Sequence, residues 1–271
     1  AAAGLIDPVL VGNQSKIRSV ARANALDVGS FEIVDAAHSH DAAAKSAALA
    51  RSGGVRALMK GSLHSDELLR EITRPDSGLH TERRISHAYV MDVPEYSSPL
   101  LISDAVVNVA PTLDEKRDIV QNAIDLARAL DLGEVRVALL SAIETVNAKI
   151  ASTIEAAALS KMADRGQLHG ANVDGPLALD DALDASAAAE KGIASSVAGR
   201  ANVLIVPDFE SGNVLGKALI LLARASAAGI VLGATVPVVL TSRADSVATH
   251  VASAAIARLL YQRQLETRVI A

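Results

Sequence analysis

The stretch VVLTSRADS, residues 238–246, combines side chains that bind anions with the pattern of a strand end. Its apolar, β-branched start is followed at once by Ser242 and Arg243. A guanidinium offers a planar fork of donors that matches a phosphate or a carboxylate, and a neighbouring hydroxyl adds a further donor. The stretch is equally typical of an ordinary strand-to-helix junction in which Asp245 or Ser246 caps the helix.

A second polar stretch, MKGSLHSDELLR at residues 59–70, also leaves an apolar run and enters a helical pattern. Lys60, Gly61 and Ser62 stand at the junction, and Arg70 lies in the helix. Free N–H groups at a helix start attract anions, and glycine lets a ligand approach the backbone. The alternative is structural: a serine caps the helix, and its acidic residues complement the helix dipole.

The stretch VPDFESGNVLGKAL, residues 206–219, follows a third apolar run. We expect Gly212 and Asn213 to precede a helix that carries Lys217 about one turn in, an arrangement that suits a phosphate or pyrophosphate. The spacing is not that of a P-loop, and no GxGxxG follows a strand. A capped helix with an exposed lysine is an equally good interpretation.

A weaker signal lies in VDGPLALDDAL, residues 173–183, where Asp174 and Gly175 precede a proline. An Asp-Gly-Pro sequence predicts a turn, and a helix follows near Asp180. Taken alone, the pattern says little about chemistry.

Composition excludes several classes of site. The 271 residues contain no cysteine, seven dispersed histidines and a net charge of −5, so we expect no metal centre, no disulfides and no nucleic-acid partner. No apolar run reaches the length of a membrane span, and we expect a cytoplasmic protein. Without a GxSxG elbow or a cysteine, covalent nucleophilic catalysis is poorly supported.

Strand-like runs alternate with alanine-rich helical stretches along the whole chain, which predicts an α/β fold with a mostly parallel sheet. Residues 88–93 and 100–107 read instead as an antiparallel hairpin, and they suggest a second subdomain that begins near residue 85. In parallel sheets, ligands bind beyond the carboxyl ends of the strands, which is where the polar stretches stand.

The chain resembles the phosphate acetyl/butyryltransferase family over nearly its whole length. It is closest to phosphate butyryltransferases and to the transacetylase part of fusions with a MaoC-type enoyl-CoA hydratase. The resemblance rests on the order of LMKG, SHAYVMDVP, LLSAIETVNAKI, DGPLALDDAL, VAGRANVLIVPDFESGNVLGKAL and GATVPVVLTSRADS.

This resemblance implies two α/β domains of the isocitrate/isopropylmalate dehydrogenase type, with an active-site cleft between them. The first domain would comprise residues 1–84 and 236–271, lacking a strand and helix that relatives carry upstream, and the second residues 85–235. The implied reaction is acyl-CoA plus phosphate to acyl phosphate plus CoA. Coenzyme A would be a substrate, with no tightly bound cofactor. A homodimer, and a hydratase domain fused in the full-length protein, would follow from the same resemblance.

The resemblance also implies roles. Arg243 and Arg70 would clamp phosphate and the developing oxyanion, and Ser242 would hydrogen-bond the thioester carbonyl or the departing sulfur. The substrate-binding residues would be Lys60, Gly61, Ser62, Asp174, Gly175, Gly212, Asn213, Lys217 and Thr241.

The sequence departs from the family pattern at one informative place. Acetyltransferases have an aspartate six residues after the active-site arginine, where this chain has Thr249 followed by His250. A phosphate dianion can attack without a base, but the reverse reaction needs Asp245, His250 or the acyl phosphate itself to accept the thiol proton. A non-catalytic acyl-CoA or acyl-phosphate binding domain therefore stays an alternative, followed by an isocitrate dehydrogenase-like oxidoreductase.

Overall fold

The computed structural model describes the backbone of residues 1–270 and the side chains of residues 1–265. Its contacts divide the chain into two units. Unit 1 comprises Ala1–Glu82 and the segment from Ala234 onward, and unit 2 comprises Arg83–Gly233.

Strands and helices alternate in both units. The strands are β1 (Val9–Gly12), β2 (Glu32–Asp35), β3 (Leu58–Met59), β4 (Ser86–Asp92), β5 (Leu100–Ser103), β6 (Arg136–Leu140), β7 (Asn172–Leu177), β8 (Val203–Ile205), β9 (Ser226–Leu232) and β10 (Val238–Val239). The helices are α1 (Gln14–Ala23), α2 (Ser39–Arg51), α3 (Ser65–Thr73), α4 (Leu113–Ala129), α5 (Ala151–Asp164), α6 (Leu179–Leu183), α7 (Ala185–Glu190), α8 (Phe209–Leu222) and α9 (Val247–Ile270).

Unit 1 contains two parallel strand pairs, β1 with β2 and β3 with β10. Alanine lets the helices pack closely because its side chain is small and costs no rotamer entropy. Thus α2 buries Ala43, Ala47 and Ala50 and packs against α3 and β1. The pairing of β3 with β10 joins distant parts of the sequence at one sheet edge.

Unit 2 contains six strands in the order β9-β4-β5-β8-β6-β7. The pairs β5–β8, β8–β6 and β6–β7 are parallel, whereas β4 runs antiparallel to both β5 and β9. The predicted α/β fold with a mostly parallel sheet is therefore confirmed, and so is the antiparallel hairpin of β4 and β5.

The core of unit 2 is aliphatic. Ile102, Ala138 and Leu204, from three neighbouring strands, are buried together, and α4 packs on β5 and β8. A capping box starts α4: the Glu115 carboxylate accepts from the Thr112 N–H at 2.8 Å, and the Thr112 hydroxyl accepts from the Glu115 N–H. In the described part of the chain, no helix has the length and apolarity needed to cross a bilayer.

Three predicted elements differ from the observed ones. The strand expected at residues 100–107 ends at Ser103, and the apolar run before Lys60 pairs only through Leu58–Met59. The turn expected at Asp174–Gly175 is wrong, because both residues lie inside β7. Glycine and proline were interpreted as strand breakers, but β7 pairs with β6 alone and tolerates a proline that donates no hydrogen bond.

Candidate functional site

Parallel pairing brings two of the predicted polar stretches to one edge of unit 1. The register pairs Val238 with Leu58 and Val239 with Met59, so both strands end side by side. The pairing continues one step further, because the Lys60 N–H donates to the Val239 carbonyl at 3.0 Å. Polar residues that stand far apart in the sequence therefore meet at the carboxyl ends of β3 and β10, where ligands bind in such sheets.

The segment after β10, residues 240–246, is called the arginine loop below. Its turn is closed by Asp245, whose carboxylate accepts from the Ser242 N–H at 2.7 Å. Ser246 then starts α9 by accepting from the Thr249 N–H at 3.1 Å. Ser242 and Arg243 are exposed. The capping role considered for Ser246 is thus observed, whereas Asp245 holds the loop.

Lys60 adds a buried positive charge beside this loop. It is only 5% exposed, and its Nζ lies 3.5 Å from two backbone carbonyl oxygens. Burial lowers the pKa of Lys60, and the charge of Arg243 lowers it further, while Asp245 opposes the shift. Two neighbouring cations repel each other, and an anion bound between them would relieve that repulsion.

The segment between β3 and α3 contains Gly61 and Ser62, which are both exposed. A side chain at Gly61 would meet no atom within 4 Å, so packing does not require a glycine there. The residue before α3 is His64, and Arg243 Nη2 lies 2.9 Å from its Nδ1. Arg70 is exposed in the last turn of α3. It lies about 9 Å along the helix axis from His64, taking 1.5 Å per residue.

Thr241, Thr249 and His250 take part in two contacts between the arginine loop and the start of α9. The buried Thr241 hydroxyl lies 2.9 Å from His250 Nδ1. The Thr249 hydroxyl lies 3.1 Å from that of Ser246. The position where acetyltransferases have an aspartate thus contributes here to the start of α9.

In unit 2, the helix start that we expected near Gly212 and Asn213 is wrong. Helix α8 begins at Phe209, capped by Asp208, whose carboxylate accepts from the N–H and hydroxyl of Ser211 at 2.8 Å each. The helix begins before Gly212 because Asp208 is a preferred capping residue. Lys217 is exposed about two turns in rather than one.

Gly212 and Asn213 both pack on the segment after β5. A side chain at Gly212 would come within 2.8 Å of the Asp104 carbonyl oxygen and 2.9 Å of the Ala105 Cα. The Asn213 amide donates to the Ala105 carbonyl at 3.3 Å. Packing alone therefore accounts for the glycine.

That segment, residues 104–108, is called the aspartate loop below. The sequence predicted that a strand would continue to residue 107 instead. The buried Asp104 carboxylate accepts from the N–H groups of Val106, Val107 and Asn108 at 2.9–3.1 Å and from the Asn108 amide at 2.5 Å. Burial raises the pKa of Asp104, and these four donors oppose the shift. The signal was present, since aspartate directly after a strand favours such turns.

Asp174 and Gly175 lie in β7. The Asp174 carboxylate accepts from the Gly175 N–H at 2.8 Å. A side chain at Gly175 would come within 2.6 Å of the Leu139 Cβ, so close packing on β6 requires the glycine. In the part of the chain with described side chains, no cluster of three or more histidines and acids is placed to hold a metal.

Known proteins resemble this chain across both units. Residues 37–258 match the family described as Phosphate acetyl/butaryl transferase. A phosphate acetyltransferase of Rhizobium meliloti is 59% identical over 99% of this chain and 85% of its own length. A phosphate butyryltransferase of Clostridium acetobutylicum is 41% identical over 95% of this chain and 85% of its own. The crystal structure of a branched-chain phosphotransacylase from Enterococcus faecalis V583 superposes with a TM-score of 0.78 at 29% identity, covering 93% of this chain and 99% of that one.

The chain is therefore similar to phosphate acyltransferases in both its sequence and its fold. The chain belongs to the phosphate acetyl/butyryltransferase family, and the resemblance stated from the sequence is confirmed. The predicted enzyme class, a phosphate acyltransferase, is confirmed at the same level.

Proposed function

We propose that this chain transfers a short acyl group, acetyl or butyryl, reversibly between coenzyme A and inorganic phosphate. The observation that supports it most directly is the arginine loop. There an exposed hydroxyl and an exposed guanidinium stand beside the buried Lys60 cation at the carboxyl ends of two parallel strands. This combination suits a phosphate that must approach a thioester.

In the forward reaction, a phosphate oxygen attacks the thioester carbon and the carbon–sulfur bond breaks. Coenzyme A departs as a thiolate, which takes up the proton that the attacking hydrogen phosphate loses in becoming acyl phosphate. Both reactants are anionic, and the positive charges of Lys60 and Arg243 offset their repulsion. Donors aimed at the thioester oxygen stabilise the tetrahedral intermediate, and orientation lowers the barrier further. Ser242 and Arg243 supply these donors.

The proton of the thiol matters in the reverse reaction. The Thr249 N–H donates to the Ser246 hydroxyl at the start of α9, and His250 Nδ1 lies 2.9 Å from the Thr241 hydroxyl. The Asp245 carboxylate lies next to Ser242 in the arginine loop. The second ionisation of phosphate lies near neutrality, so in the forward reaction a dianion can attack without a base. In reverse, Asp245 or the acyl phosphate itself accepts the proton.

Further parts of the proposal rest on the family resemblance alone. They are the phosphate-clamping role of Arg70, the substrate contacts of Asp174, Gly175, Gly212, Asn213 and Lys217, and the isocitrate dehydrogenase-like architecture. The homodimer, the cytoplasmic location and the fused hydratase domain stay predictions.

Release of free thiol from acetyl-CoA and butyryl-CoA, with and without added phosphate, tests this function. We expect phosphate-dependent release. Arg243→Ala should lower kcat/KM at least about a hundredfold, because it removes both a phosphate ligand and an oxyanion donor. Arg22→Ala, an exposed arginine of the same unit, is the matched control and should behave as wild type.

Two results would contradict the proposal. Near-normal turnover by a folded Arg243→Ala variant would remove the role assigned to the arginine loop. No thiol release from any short acyl-CoA would instead leave a domain that only binds acyl-CoA or acyl phosphate.

A further inference from the structure

One contact in unit 1 fixes the exposed guanidinium of Arg243. Its Nη2 lies 2.9 Å from His64 Nδ1, between residues 179 positions apart in the sequence. The same Nη2 lies 3.5 Å from His64 Nε2, so the guanidinium contacts the ring near both of its nitrogens.

His64 is itself anchored through its backbone. The buried Glu67 carboxylate accepts from the His64 N–H at 2.8 Å and from the Ser39 hydroxyl at 2.5 Å, and His40 Nε2 lies 3.4 Å away. Glu67 thus ties the residue before α3 to the start of α2. A chain of contacts leads from this buried acid to the exposed guanidinium.

The charges around Arg243 show what an imidazole, rather than a carboxylate, contributes as its partner. Among the described side chains, no carboxylate oxygen lies within 4 Å of its guanidinium. The nearby Asp245 carboxylate accepts from the Ser242 backbone, and Lys60 adds positive charge. A carboxylate in the place of His64 would orient the guanidinium but neutralise it. An imidazole orients it without adding a negative charge, so the charge of Arg243 stays available to an incoming anion.

We propose that His64 is a positioning residue for Arg243, holding the guanidinium in place through a ring that adds no negative charge, so that the charge of Arg243 meets the phosphate. This inference rests on the proposed function, since it assigns Arg243 a phosphate to bind. His64 would affect the reaction only through the position of the Arg243 side chain.

Three substitutions separate orientation from charge. Serine, asparagine and aspartate are all preferred at the position before a helix, so each maintains the start of α3. Asparagine offers a neutral oxygen at about the place of Nδ1. Aspartate offers a charged oxygen at the same place, and serine is too short to reach the guanidinium. His169→Ser, at an exposed histidine of unit 2, is the matched control.

We expect His64→Asn to stay within about threefold of wild type. His64→Ser should lower kcat and raise the KM for phosphate, costing roughly tenfold in kcat/KM, because a misplaced donor loses its geometry. His64→Asp should raise the KM for phosphate about tenfold with a smaller change in kcat. The KM for acyl-CoA should change little throughout. Equal activity of the serine and asparagine variants would overturn the proposal.

A double substitution tests whether His64 acts through Arg243. In an Arg243→Ala background, His64→Ser should cause no further loss, because the contact is already gone. The same tenfold loss there would show that His64 acts on its own and would overturn the proposal.

A chemical readout distinguishes this proposal from the proposed function. The rate at which phenylglyoxal modifies Arg243, mapped by peptide mass spectrometry, needs no turnover. We expect severalfold faster modification in His64→Ser than in wild type or His64→Asn, even if the wild-type protein releases no thiol. Equal rates in all three would overturn the positioning role.

Discussion

Two strands of the molecule lead directly into a loop that carries a charged side chain. After β10 in unit 1, Arg243 is exposed and contacts the ring of His64. After β5 in unit 2, Asp104 is only 3% exposed, and its carboxylate is surrounded by four N–H donors of its own loop. The first charge is available to a ligand, whereas the second is used to fold the chain.

The arginine loop is thus the one that we propose binds substrate, whereas the aspartate loop stabilises the fold. A buried hydrogen bond to a charged group contributes about 1.5–3 kcal/mol, whereas an exposed polar pair contributes little. The aspartate loop should therefore dominate stability, and the arginine loop should dominate activity. The predictions below test this division, beginning with the largest expected change in stability.

Asp104→Asn should destabilise unit 2 strongly. An amide supplies one acceptor oxygen in place of two and turns its own N–H groups toward the donors of the loop. Buried donors without a partner are costly, so we expect a loss of roughly 2–4 kcal/mol in the free energy of unfolding. Urea denaturation at pH 7 measures it.

Asp114→Asn is the matched control for this change. Its side chain is 85% exposed and lies 3.9 Å from Arg117. It should cost at most about 1 kcal/mol, mainly through the helix dipole. A loss for Asp104→Asn no larger than that of the control would contradict the supporting role of the aspartate loop.

A pair of glycines extends the comparison to the backbone. At Gly212, a new side chain would meet Asp104 and Ala105 backbone atoms at under 3.0 Å. At Gly61 it would meet no atom within 4 Å. We expect Gly212→Ala to cost about 1–3 kcal/mol in spite of the better helix propensity of alanine. Gly61→Ala should be neutral or stabilising by up to about 1 kcal/mol.

Thermal or urea unfolding of the two glycine variants measures this contrast. If Gly212→Ala is as stable as wild type, the aspartate loop shifts at little cost to make room for the new side chain. A Gly61→Ala that unfolds as readily as Gly212→Ala would mean that the segment before α3 is packed as tightly as unit 2.

The sequence predicted the elements better than their ends. The β4–β5 hairpin and the helix α4 follow from local pattern alone. The end of β5 at Ser103 does not, because the Asp104 side chain binds N–H groups that a longer strand would have used in its ladder. Helix α8 likewise starts earlier than expected because Asp208 caps it.

The candidate site was predicted as a list of residues but not as an arrangement. Ser242 and Arg243 are candidates because arginine after a strand is a recognisable anion-binding pattern. The contact with His64 spans 179 residues and depends on β3 pairing with β10, which periodicity does not reveal. Glu67 did give a local sign, since it stands three residues after His64 with the spacing of a capping box.

The anchor of His64 should be sensitive to acid, which gives the smallest of the predicted effects. Hydrogen bonds from the Ser39 hydroxyl and the His64 N–H hold the pKa of Glu67 below its ordinary value of 4.5. A carboxyl whose pKa is lowered in the folded state stabilises the fold when ionised. That contribution is present above about pH 4.5 and is lost as the pH falls through the lower, folded-state value.

We therefore expect Glu67→Gln to reduce the free energy of unfolding at pH 7, with a difference from wild type that shrinks steadily between pH 4.5 and pH 3. Urea unfolding across this range measures it. Ser39→Ala, which removes the donor with the largest effect on the Glu67 pKa, should abolish part of the same pH dependence and add none in the Glu67→Gln background. A difference that stays constant down to pH 3 would show that Glu67 acts by packing alone. In that case Glu67, like Asp104, would contribute only to the stability of the fold.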